Sequence, residues 1–326
     1  MPTDFPNGLT SYGNPVFGVG GLLPFGGKYF WVDETNGNDG NPGSVDAPFS
    51  TLTTALANMR DGMNDVCFIS GSVHVSASVA WNLNKAHLIG LCAPLRRGKR
   101  ARISPTTTLA GTAGFNKLVN VTGSGCIFAN FGTLYGFSNT AAALVCWSDT
   151  GGRNYYDTVE FLGFGDATGG TGTANLTGAR AFVLNTSVGE TTWRNCVFGE
   201  DTVQRGATNY TLEIAGGAPR CTAINCDFEA YLAAGGSAGS HLLIANGGID
   251  RYLKLENCRL MSDTLGGPAG TAMAQALNVT VAAGGAVILD QTTFVGCTAI
   301  QTAPTANVVM NMVASTTTGG LAHVVF

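Results

Sequence analysis

Four carboxylates stand where two successive segments leave their apolar residues: Glu200 and Asp201 follow Phe198, and Asp227 and Glu229 flank Phe228. If the two segments are neighbouring repeats, equivalent positions bring these acids together on one outer face. Two carboxyl groups so placed can divide the work of glycoside hydrolysis, one protonating the leaving oxygen while the other activates water or attacks the sugar. The competing reading is a solvated acidic edge. It is preferred, because each acid sits where the chain turns from core to loop. Opposite charge is concentrated elsewhere: Arg96, Arg97, Lys99, Arg100 and Arg102 put five cations within seven residues, out of 17 in the chain. No aromatic residues interleave with them, which argues against single-stranded nucleic acid. An acidic protein surface is the better partner for Arg96, Arg97, Lys99 and Arg100.

Other chemistries find less support. His74, His87, His241 and His323 stand alone among apolar or small residues, without a Ser-His-Asp or Cys-His order. Gly169-Gly170-Thr171-Gly172 lacks the Lys and helix of a phosphate loop. Asn36, Asn38 and Asp39 carry oxygens suited to calcium, but their spacing matches no EF-hand and turn formation is the simpler role. Nine cysteines are spread out with no C-x-x-C pair, so they read as small buried hydrophobes. No metal and no cofactor are expected. The expectation is no catalysis, with Glu200, Asp201, Asp227 and Glu229 as the alternative catalytic set.

The elements that must position these residues emerge as a repeat. Asn-Cys-x-Phe or its like appears at Asn195–Phe198, Asn225–Phe228 and Asn257–Leu260, with looser copies ending at Phe131, Phe161 and Phe294. The closing apolar residues 131, 161, 198, 228, 260 and 294 are 30 to 37 residues apart, a period that signals a solenoid. A second apolar ladder precedes the first: Leu118-Val119, Leu144-Val145, Phe182–Leu184, Leu212–Ile214, Leu242–Ile244 and, less clearly, Val308–Met310. Each repeat is then one coil of a β-helix. The Asn has a physical task at the bend. Strict alternation through Glu256, Cys258 and Leu260 would bury Glu256; a left-handed Asn257 restarts the alternation, so that Leu255 and Leu260 both face inward. Stacked at about 4.8 Å per coil, Asn195, Asn225 and Asn257 can hydrogen-bond along the axis, beside a column of Cys196, Cys226 and Cys258.

Ahead of the repeats lies the stretch 28–65. Tyr29–Val32 reads as a strand, 33–48 as an Asn/Gly/Asp/Pro loop, and Leu52, Ala55, Leu56 and Met59 fall at helical spacing behind a Ser50 or Thr51 cap. Residues 1–27 hold four prolines and seven glycines among scattered apolar side chains, which rules out regular structure and suits an extended docking arm. Phe5, Phe17, Leu22, Leu23 and Phe25 are its expected contacts. The coils occupy 66–300, seven or eight of them, and 301–326 forms a C-terminal strand or cap. Charged residues are only 12% of the chain and hydrophobic ones 45%, which fits an ordered, turn-rich all-β protein. The net charge of −4 and the lack of any run of about 20 apolar residues speak against nucleic acid and membrane as partners. Met1–Asp4 has no basic start, so synthesis in the cytoplasm is expected.

The Tyr-Phe-Trp-Val-Asp run, Asn36–Asn41, Ala47-Pro48-Phe49 and Leu52–Leu56 together resemble the opening of right-handed parallel β-helix proteins related to pectate lyases, as found among bacteriophage virion proteins. The resemblance covers about thirty residues closely and the remainder by repeat pattern. It implies a right-handed parallel β-helix capped at its N-terminal end by the helix Leu52 to Met59. It further implies a virion structural protein made in a host cytoplasm, most simply a capsid decoration or cement protein. Such a protein would assemble as a homotrimer against the major capsid protein or another virion protein. A tailspike or fibre protein that binds or degrades host surface polysaccharide is the alternative.

Overall fold

β-Branched and aromatic runs separated by Gly, Asn and Ser fold, in the computed structural model, into parallel strands stacked as three sheets. The structure describes residues 10–11, 14–15, 27–106, 116–135, 144–163, 173–174, 176–233, 238–245, 247–263, 272–280, 284–301, 308–312 and 322–325. One coil shows the plan. Thr191–Arg194 lies in sheet I, Val197–Arg205 in sheet II and Tyr210–Ala215 in sheet III, and the chain returns to sheet I at Ala218–Ile224. Each strand pairs in parallel with its counterpart one coil away, for instance Val197 with Asp227 and Phe198 with Phe228. Sheet II has eight strands on its path, from Ser72–Val75 to Thr293–Val295, with Thr173–Ala174 paired beside it. The all-β, right-handed parallel β-helix is therefore the fold, with the number of coils expected.

The bend between sheets I and II is made as the motif requires. Asn130, Thr158, Asn195, Asn225, Asn257 and Gln291 all adopt left-handed backbone, with φ from 50° to 57°. Asn257 Nδ2 donates to Asn225 Oδ1 at 2.7 Å, and Asn225 Nδ2 to Asn195 Oδ1 at 3.4 Å. Leu255, Cys258 and Leu260 are buried while Glu256 is not. Cys196, Cys226 and Cys258 form the inward column, each thiol donating to the carbonyl two residues before it.

The N-terminal helix spans Leu52–Asn58, one residue shorter than expected, with Thr51 as its cap and Leu52 and Ala55 buried. Asp39 accepts from the Ser50 and Thr51 amides and the Thr51 hydroxyl, and Asn38 Oδ1 accepts from the Gly40 amide, so these oxygens serve the loop itself.

Two expectations are corrected. The sixth member of the second ladder is Leu277–Val279 in sheet III, while Val308–Met312 extends sheet I and is closed by the antiparallel strand Ala322–Val325. Regular structure is not wholly absent from the N-terminal arm, because Thr10–Ser11 pairs antiparallel with Asn14–Pro15. The arm contacts expected of Phe5, Phe17, Leu22, Leu23 and Phe25 lie outside the described residues.

Candidate active-site cleft on sheet II

The x of Asn-Cys-x-Phe is the first outward position after the bend, so it stacks from coil to coil. Strand register places Arg102, Gly132, Glu160, Val197, Asp227 and Arg259 in one column. Glu160 and Asp227 are fully buried although they face away from the core. The reason is the basic segment, which leaves sheet I after His87–Gly90, crosses over sheet II and rejoins it at Arg102–Pro105. Arg96 Nε lies 2.5 Å from Asp227 Oδ2, and Arg259 grips the same carboxylate through two contacts of 2.7 Å. Arg97 Nη1 meets Asp201 Oδ2 at 2.6 Å, and its Nη2 pairs with Glu229. The Lys99 amide donates to Glu160 Oε2 at 3.2 Å. Among the predicted contact residues, Arg96, Arg97 and Lys99 thus meet acids of their own chain, and Arg100 is exposed.

Between this segment and the sheet lies a cleft of about 350 Å³, within the size range of small-ligand pockets. Arg97, Arg102, Glu160, Glu200, Asp201 and Glu229 supply its polar lining, and Leu134, Leu162 and Val197 its apolar part. Gly132 matters to it, because a Cβ there would stand 2.8 Å from Glu160 Oε2 and displace that carboxylate. Glu200 is 6% exposed and immediately precedes a register shift in its strand, an irregularity that re-aims side chains out of simple alternation.

Three of the four acids expected from sequence, Glu200, Asp201 and Glu229, line one cleft, whereas Asp227 is clamped between two guanidiniums beside it. The environments differ. Burial raises the Glu200 carboxyl above its ordinary range, against a hydrogen bond from Thr202; the charge of Asp201 adds to the rise and that of Arg102 opposes it. Burial raises Glu160 too, but the Lys99 amide and the charges of Lys99 and Arg102 pull it back. Glu160 Oε1, Glu200 Oε2 and Arg102 Nε are buried with no hydrogen-bond partner among the described residues. Burial thus favours the neutral form of both carboxyls, with Asp201 reinforcing it at Glu200 and Lys99 opposing it at Glu160, the kind of difference in environment from which one site supplies both an acid and a base. Glu160 was missed as a site residue in the sequence, although its place as the x of Thr158-Val159-Glu160-Phe161 put it in register with Asp227.

No protein-family model matches the chain, and no curated protein does. Solved structures do resemble it. A pectin methylesterase in complex with a hexasaccharide superposes with a TM-score of 0.52 at 13% identity, over 90% of this chain and 84% of that one. The Aspergillus niger pectin methylesterase in deglycosylated form gives 0.51 at 13% identity, over 90% and 92%. A tailspike protein from Acinetobacter baumannii bacteriophage Fri1, a capsular polysaccharide depolymerase, gives 0.40 at 11% identity, over 86% and 64%. At these identities the first two likenesses are of fold, and the fold shared is the parallel β-helix.

Proposed function

We propose that the protein is a polysaccharide-cleaving β-helix of the tailspike kind, with the sheet II cleft as its active site. The observation that carries this reading is the pair Glu160 and Glu200: both are buried in one cleft, and each has a carboxyl oxygen without a hydrogen-bond partner among the described residues. Glu200, whose neutral form is favoured by burial and by the charge of Asp201, donates its proton to the glycosidic oxygen as that bond breaks. Glu160, drawn toward ionisation by Lys99 against its burial, acts as base or nucleophile. The test is release of new reducing ends from a panel of bacterial capsular polysaccharides. Glu200→Gln and Glu160→Gln should each lower the rate by about 10²- to 10⁴-fold, whereas Asp201→Asn, at the rim, should change it far less. A wild-type chain that neither cleaves nor binds any member of the panel sinks the proposal.

A second reading, a virion structural protein of the capsid decoration or cement type assembled as a homotrimer on the outer head surface, is favoured by a different observation. Among the described residues, Thr293–Val295 and Leu277–Val279 end sheets II and III without a further strand, and Val295 is 50% exposed. Open strand edges of this kind invite another chain. Copies per particle discriminate: hundreds support decoration of the major capsid protein shell, while a few indicate a spike.

A further inference from the structure

The segment over the cleft is held in two different ways. Its roots are pinned by one side chain: Asn130 Nδ2 donates to the Cys92 carbonyl at 2.7 Å and to that of Gly90 at 3.0 Å, while its Oδ1 accepts from Lys99 Nζ at 3.3 Å. Lys99, itself buried, also reaches the Leu95 carbonyl. Between those roots the chain makes a short excursion whose ends are close, like a small Ω-loop. Its tip, residues 96–98, gains little from apolar burial, since the adjacent Leu95 is 57% exposed. Gly98 has φ +71° and nothing within 4 Å of where a Cβ would stand, so the tip has backbone freedom and open space on one side.

Charge holds the tip, and the anions that hold it belong to the cleft or border it. Arg97 bridges Asp201 and Glu229. The Arg97 side chain is 44% exposed and that of Asp201 46%, so this pair is screened by salt, while the Glu229 side chain is 5% exposed and its pair is screened less. Arg96 reaches Asp227 and the Asn225 carbonyl. Loss of Arg96 would not strand Asp227 as a lone buried charge, because Arg259 remains on both of its oxygens. The Arg96 latch can therefore release without the penalty that normally fixes a buried ion pair in place, whereas release of Arg97 leaves the buried Glu229 carboxylate facing the cleft, so Arg97 is the firmer of the two latches.

We propose that residues 96–98 are a gate, latched by Arg96 and Arg97, whose opening decides what reaches Glu160 and Glu200. That the cleft receives a ligand rests on the reading above; the gate itself is tested without one. Val197 lines the cleft at 1% exposure. In Val197→Cys, alkylation of the new thiol by iodoacetamide is followed by peptide-resolved mass spectrometry. NaCl is raised from about 0.1 M to about 1 M, which shortens the screening length from about 10 Å to about 3 Å. Alkylation should quicken about two- to fivefold as the exposed Arg97–Asp201 pair weakens, and Arg96→Ala/Arg97→Ala should reach at least that fast rate already at low salt. Cys196, Cys226 and Cys258 should stay unlabelled throughout, which separates gate opening from unfolding. Equal rates in all conditions, or position 197 reacting only together with those three cysteines, overturns the gate. If Val197→Cys does not fold, the unmodified chain serves. Trypsin cleavage after Arg96 and Arg97, normalised to a free peptide of the same sequence, should rise with salt, and salt-independent cleavage counts against the gate. A positive result here with no cleavage of any polysaccharide would remove the catalytic reading and leave the gate standing.

Discussion

His87 is buried at 2% exposure in sheet I, where its Nδ1 accepts the Ile127 amide at 2.9 Å and its Nε2 has no hydrogen-bond partner among the described residues. Burial lowers its pKa to about 4, with the charge of Asp65 opposing. The folded state thus resists a proton that the unfolded chain binds near pH 6.5. Stability from this group is present above the unfolded value and is lost as pH falls toward 4. The loss should be about 2 kcal/mol between pH 7 and pH 5. Denaturant titrations of wild type and His87→Gln should differ in pH dependence by that amount. Glu160 and Glu200 work in the opposite sense, since their raised pKa values favour the fold at low pH and that contribution fades as pH rises through the folded values. Equal pH dependence in the two chains would mean that His87 is protonated or solvated in the fold.

At the scale of elements, the cleft is as firm as the ladder behind it. Phe161, Phe198 and Phe228 stack along the inner face of sheet II, with centroids 5.1 and 4.9 Å apart and planes within 24° and 7° of parallel. Phe198 also meets Phe182 and Trp193 edge-on, so it is packed from the other two sheets as well. In the strand Phe198 lies between Val197, which lines the cleft, and Gly199, which pairs with Glu229. Phe198→Ala should cost about 3–5 kcal/mol through lost burial and a cavity that a stacked coil cannot easily close. A urea midpoint unchanged by this substitution would mean the column is not packed as described.

At the scale of the whole molecule, much of the solenoid was legible in the chain, and the reason is local. A strand that turns through left-handed backbone favours Asn or Gly at the bend, although Thr158 and Gln291 also make it, and the inward residue after it is large and apolar. Asn195, Asn225 and Asn257 therefore announce their coils with Phe198, Phe228 and Leu260. The same argument placed Leu255 and Leu260 inside and Glu256 out. It faltered where coils are irregular. Leu277–Val279 is too short to show a pattern, and Val308–Met310 is apolar enough to imitate the missing rung. The cleft was legible only in pieces. The acids at 200, 201 and 229 and the cations at 96 and 97 were all visible, but Arg97 and Asp201 are 104 residues apart, and Arg96 and the Asn225 carbonyl 129. Sequence by itself determined the repeat, the bends and the core, because hydrophobic burial and backbone sterics act with a short period. Only the tertiary structure decided that the basic segment folds back over sheet II and buries Glu160 beside Glu200. That outcome depends on how far successive coils carry a loop along the axis, and outward-facing charges carry no period from which it can be read.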